Sequence, residues 1–170
     1  MLPEQTARPD ALSQADIQEF ERLEALDQLD IIDMPHDDAF DGVAELVKNI
    51  FDVPMAIVSV IDAHRQLYKA CVGLSASEVA RKDTFCTHTI RMDHPMIVPD
   101  ATLDERFADH PMVVGAPNIR FYAGAPLRTS DGHNIGTLCA IDTKPRDFGA
   151  RETAILQGLA NLAMEQMETR

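Results

Sequence analysis

Three thiols and two clusters of polar and charged side chains hold whatever chemistry this chain can perform. Cys71, Cys86 and Cys139 are odd in number, widely spaced and contain no C-x-x-C pair. That pattern gives neither a disulfide framework nor a closed zinc site, and it fits reduced thiols in a cytoplasmic protein. Cys86 stands two residues before His88 in Phe85-Cys86-Thr87-His88-Thr89. On a helix positions two apart diverge, so this pair does not by itself make a nucleophile and its base. Cys71 and Cys139 fall within strand-like runs, where cysteine is usually a small buried hydrophobe, and no basic neighbour beside Cys139 would activate it. No catalytic residue is assigned on these grounds. His88, His94 and His110 could join Cys86 around an ion, but no short-range ligand spacing supports this, so no metal site is assigned either.

The second cluster is Asp100, Asp104, Arg106, Phe107 and Arg120. It surrounds a stretch, 100–118, with no sustained period and with Pro111, Gly115 and Pro117 in it. Such a long excursion reads as a lid, in which an arginine meets an anionic group and an aspartate orients it; the alternative is a local pairing of Arg106 with Asp100 or Asp104. Phe121 and Tyr122, followed by Ala123-Gly124-Ala125, would let a sheet face accept a ligand, with ordinary core packing as the alternative.

The elements that position these residues follow from pattern. Ser13 and Asp16 are spaced like a capping box ahead of Ile17, Phe20, Leu23, Leu26 and Leu29, which predicts a helix over 13–28. Phe40, Val43, Ala44, Val47, Ile50 and Phe51 form the apolar stripe of a second helix. The run 55–61 is continuously apolar and β-branched, as a strand covered on both faces would be, and a turn at 62–65 leads to a partner ending near Gly73. Residues 74–83 are mixed and polar. Thr84 caps a short helix to Ile90, and the prolines around 96–98 place that strand near an edge. Residues 121–127 and 135–141 flank Asp131-Gly132, the chemistry of a hairpin turn. Ile155, Leu156, Leu159, Leu162, Ala163 and Met167 mark a last helix, widened sideways by Ala154, Ala160 and Met164 into a second stripe that could meet a partner. This order predicts an α+β fold with an antiparallel sheet.

The segments 54–62, Phe85–Ile90, and above all 120–127 with 136–142 resemble the GAF domain family. The resemblance spans about residues 20–168, is nearest to modules at the N-terminus of bacterial sensor kinases and diguanylate cyclases, and implies the rest of the picture. It implies a six-stranded antiparallel sheet, with the N- and C-terminal helices on one face and short helices and loops over a ligand pocket on the other. One domain over 13–170 is expected, after a disordered tail at 1–12. Pocket residues would be Phe85, Cys86, His88, Thr89, Asp100, Arg106, Phe107, Arg120, Phe121, Tyr122 and Cys139. The implied role is sensory: an unidentified small molecule binds, and the terminal helices signal to a protein in trans, since the sequence stops after the last helix. A homodimer through those helices is expected. The alternative is a thiol-dependent reductase of a small oxidised substrate, like the free methionine sulfoxide reductases of this fold, with Cys86 reacting and Cys71 or another cysteine resolving.

No particular cofactor is named by any of these features. Bilin-binding relatives need a cysteine within 112–119, which has none, and the Asn-Lys-x-x-x-Phe-Asp-Glu signature of cyclic-nucleotide-binding relatives is absent. Twenty-eight acidic against fifteen basic residues, a formal charge of −13, repel nucleic acid and anionic lipid, so neither is an expected partner. The first ten residues lack the basic end and apolar run of a secretory signal, so a cytoplasmic location is expected.

Overall fold

A computed structural model describes residues 12–82 and 84–169. All but Leu12 of the expected tail therefore lies outside the described residues. Helix α1, Gln14–Leu29, starts at the capping box: Ser13 Oγ accepts from the Asp16 amide while Asp16 returns the bond. Helix α2, Asp38–Phe51, is capped by Asp37 and buries Phe40, Val43, Ala44, Val47 and Phe51. The strands are β1 (Met55–Ile61), β2 (Arg65–Val72), β3 (Glu78–Ala80), β4 (Met96–Val98), β5 (Phe121–Arg128) and β6 (Asn134–Asp142). They form one antiparallel sheet in the order β3-β2-β1-β6-β5-β4. The short helix α3 is Phe85–Thr89, α4 is Pro111–Val114, and α5 is Ala150–Glu168.

Burial splits the side chains of the sheet into two layers. Val58, Val60, Ala123, Leu127, Leu138 and Ala140 meet α1, α2 and α5. Ile57, Tyr122, Cys139 and Ile141 meet α3, α4 and the segment between β4 and β5. Continuous burial along β1, β6 and all of β5 but Arg128 explains why their sequences are largely apolar without alternation. No helix among the described residues is long and apolar enough to cross a membrane.

The structure adds to the sequence reading in three places. The polar stretch 74–83 supplies β3, the sixth strand that the resemblance implies, which pairs with Arg65–Leu67; three residues are too few to show a period. The segment 100–118, read as a lid, is packed down over the sheet: Ala101, Phe107 and Val113 are buried in the second layer, and a 3-10 turn at Ala101–Leu103 and α4 supply its backbone bonds. Ala160 and Met164, assigned to a second, partner-facing stripe of α5, lie instead in the core. Ala154, assigned to the same stripe, is exposed, as is Leu162.

Helix α1 docks through Leu26 and through a buried charge, Arg22, while Ile17 and Phe20 are exposed. Arg22 is buried and donates Nη1 to the Ile61 carbonyl at 2.7 Å and to the Asn134 carbonyl at 3.4 Å, at adjacent ends of β1 and β6. Glu19 joins Arg22 to Arg81, whose Nη1 lies 2.6 Å from Glu19 and 3.0 Å from the Asp62 carbonyl. Burial alone would raise the Glu19 carboxyl, but the hydrogen bonds and charges of Arg22 and Arg81 outweigh it and hold the group at about 2. A depressed pKa stabilises the fold fully above the unfolded value of 4.5 and is lost as pH falls toward about 2. Glu19→Gln should therefore cost about 2 kcal/mol at neutral pH, the size of a hydrogen bond to a charged group. It should also flatten the acid side of the stability curve between those two values, read by urea unfolding at stepped pH.

Candidate functional site

Between α3, α4 and the sheet lies a cavity of about 300 Å³. Its floor is Ile57, Tyr122, Cys139 and Ile141; Phe85 and Cys86 enter from α3, Pro111 and Met112 from α4, and Gln66 and Tyr68 from β2. Ala80, Lys82 and Pro111 are exposed and form its mouth.

Local sequence explains how each wall is placed. Thr84 caps α3 by accepting from the Thr87 amide, which turns Phe85 and Cys86 inward. His110 Nδ1 accepts from the Met112 amide and caps α4, with Pro111 at the first helical position. On β5, Tyr122 and Gly124 share a face, and a Cβ on Gly124 would stand 2.2 Å from the Tyr122 hydroxyl. The glycine lets the Tyr122 ring lie along its own strand, where a ligand contact had been expected.

The cavity floor carries a continuous polar chain within an apolar layer. Gln66 Nε2 donates to Ser59 Oγ at 3.0 Å, Ser59 Oγ lies 3.1 Å from Thr137 Oγ1, and Thr137 donates to Cys86 Sγ at 3.1 Å. From the other side the Tyr122 hydroxyl lies 3.2 Å from Cys86 Sγ and 2.9 Å from Thr89 Oγ1. Buried polar side chains cost stability unless they are paired, and these converge on one sulfur. The hydrogen bond from Cys139 lowers the Cys86 thiol most; burial opposes it, Thr137, Tyr122 and Gln66 reinforce it, and the outcome is about 7. Cys139 moves the other way, well above an ordinary thiol, because Cys86 is its neighbour and it is fully buried. Cys71 is raised by burial, and its thiol donates to the Leu74 carbonyl at 3.3 Å.

Of the expected pocket residues, the structure brings Phe85, Cys86, Tyr122 and Cys139 together at the cavity. Thr89 stands one bond behind, on Tyr122. His88 diverges from Cys86 and packs edge-on against Phe107, which itself stacks on Phe85 at 4.1 Å. Phe121 belongs to the opposite layer, with Phe148, because successive strand residues face opposite ways. Arg106 pairs with Asp104 at 2.8 Å and lies over Phe107, so the local staple holds in place of a ligand contact. Asp100 caps the 3-10 turn, and Arg120 donates to the carbonyls of Val113 and Ile119. Sequence reasoning missed Gln66 and Tyr68 because an irregularity opposite Val58 and Ser59 leaves Lys69 unpaired and switches the phase of β2. The histidines weighed with Cys86 form no group with it. Among the described residues, the grouping able to hold an ion is the exposed set His36, Asp38 and Asp41 at the start of α2.

The comparisons with known proteins agree with this geometry. The GAF domain model matches residues 35–167. A cyclic di-GMP phosphodiesterase from Pseudomonas aeruginosa is 40% identical over 152 residues, 89% of this chain and 26% of that protein, so the chain spans about a quarter of this relative's length. The GAF domain of a phosphoenolpyruvate-protein phosphotransferase from Coxiella burnetii superposes with a TM-score of 0.67 at 16% identity, covering 92% of this chain and 96% of that one. A free methionine-R-sulfoxide reductase from Neisseria meningitidis does so with a TM-score of 0.65 at 16% identity, covering 93% of each. At such identities the superpositions speak for the fold alone, whereas the family match covers most of the sequence. The chain belongs to the GAF domain family.

Proposed function

We propose that this domain is a sensor: a small molecule enters the cavity between α3, α4 and the sheet, and occupancy alters how the terminal helices meet an effector in trans. The observation that carries this reading is the cavity itself, about 300 Å³, walled by apolar and aromatic side chains with a few polar groups on its floor. A route outward is in place. Ala80 and Lys82 line the mouth, and Arg81 between them is bonded to Glu19 of α1. The exposed Ile17 and Phe20 on α1 and Leu162 on α5 support association through these helices, first with a second copy. The 40% identity to part of a cyclic di-GMP phosphodiesterase supports an effector concerned with that second messenger.

A ligand that binds only the folded state raises its melting midpoint. Thermal shifts of the purified chain against nucleotides, amino acids, oxyanions and organic acids should give at least one saturable increase. That increase should vanish in Ala80→Trp, which plugs the mouth from an exposed edge position. Shifts that survive in Ala80→Trp would place binding elsewhere and defeat the reading.

One observation favours the reductase as a second reading. Cys86 lines the cavity, and the neighbouring Cys139 thiol above all lowers its own to about 7. Turnover of free methionine sulfoxide with a dithiol reductant, lost in Cys86→Ser, would establish it; no turnover in the unaltered chain would remove it.

A further inference from the structure

We propose that the ligand of the cavity is a small monocarboxylate with an aromatic body, its ring held among Tyr68, Phe85 and Tyr122 and its carboxylate at Lys82. This rests on the reading of the cavity as the sensory site and goes further by naming the chemistry that fits it.

Size sets the first bound. A cavity of about 300 Å³ lies at the small end for ligand sites and suits a single-ring molecule better than a dinucleotide. A cyclic dinucleotide such as the relative's second messenger is larger than the space as it stands.

Charge sets the second bound. Among the described residues the lining holds no arginine, aspartate or glutamate. An ammonium group would find no carboxylate among them, which disfavours a free amino acid. A phosphate would lack the arginine fork that usually meets it. Two of the polar groups that line it are already engaged, Gln66 Nε2 with Ser59 and Cys86 with Thr137 and Tyr122, which leaves few for a ligand with many hydroxyls. Among the described lining residues Lys82 supplies the amine, and it stands exposed at the mouth. A single carboxylate there stays partly hydrated while the apolar body is buried, the arrangement that costs least.

Shape sets the third. Three rings and the polarizable sulfurs of Cys86, Met112 and Cys139 favour a flat π-system over an aliphatic chain of the same volume.

Isothermal titration of the full chain with phenylacetate and benzoate tests this, beside phenylacetamide, phenyl phosphate, phenylalanine and cyclic di-GMP. The expected result is saturable binding of a carboxylate, with phenylalanine and cyclic di-GMP silent. Lys82→Gln should weaken the carboxylate by about fivefold, the size of one partly solvated ion pair, and leave the amide unchanged. Ala80→Trp should abolish both. Carboxylate affinity unchanged in Lys82→Gln overturns the role given to that lysine. Binding of phenylalanine or cyclic di-GMP that Ala80→Trp blocks overturns the ligand class while the cavity reading stands. Binding indifferent to Ala80→Trp overturns the cavity reading itself, and silence of the whole panel overturns the class.

Discussion

Gly136→Ala is expected to destabilise the domain by about 3 kcal/mol or more, the upper range for forcing atoms into a filled space. Gly136 lies on β6 opposite Val60 of β1, and a Cβ there would stand 2.0 Å from the Ser59 carbonyl oxygen and 2.9 Å from its carbonyl carbon. The obstacle is backbone, so no side chain can turn aside. Relief would require β1 and β6, the two central strands, to separate where Ser59 and Thr137 support the cavity floor. Urea unfolding should show a large fall in midpoint with unchanged slope. A loss under 1 kcal/mol would mean that the strands can part locally at little cost.

Thr137→Val is expected to slow alkylation of Cys86 at pH 7 by about fivefold, since losing one hydrogen bond to a charged group shifts a pKa by about one unit, which lowers the thiolate fraction from about a half to about a tenth. The thiol of Cys86 lies near 7 because Cys139, Thr137 and Tyr122 place donors on it against the pull of burial. Below that value the thiol is protonated and unreactive; above it the thiolate dominates, so the rate of labelling by iodoacetamide should rise through pH 7 and level off. In Thr137→Val the rise should move toward higher pH. The measurement needs a Cys71→Ser background, because Cys71 is half-buried and would also be labelled. A profile rising only near an ordinary thiol's pKa in both proteins would remove the network's effect on Cys86.

How far the sequence reaches can be judged from particular residues. Capping is local chemistry, so Ser13 with Asp16 and Thr84 with Thr87 mark helix starts correctly. The edge position of β4 follows from the prolines beside it, and Asp131-Gly132 sits in the β5–β6 turn with Gly132 at φ +92°. What escaped the sequence is long-range. β3 exists through its pairing with β2, and the displaced Lys69 that sends Gln66 and Tyr68 into the cavity is a property of two strands together. One misplacement was avoidable: Phe121 and Tyr122 are neighbours on a strand, so at most one could face the pocket. The arginines misled for another reason. Arg106 and Arg120 are satisfied by Asp104 and by nearby carbonyls, which motif reading cannot distinguish from readiness for a ligand.

The central claim, that the cavity under α3 and α4 is where this domain receives its signal, is tested most directly by locating a bound molecule. Amide shifts of the ¹⁵N-labelled chain, followed during titration with phenylacetate, should move first at Cys86, Met112, Tyr122 and Cys139. With saturation they should also move at Arg81 and Glu19, and they should not move in Ala80→Trp. Shifts confined to the groove lined by Arg91, Arg128 and His133, with the cavity amides unmoved, would contradict the account.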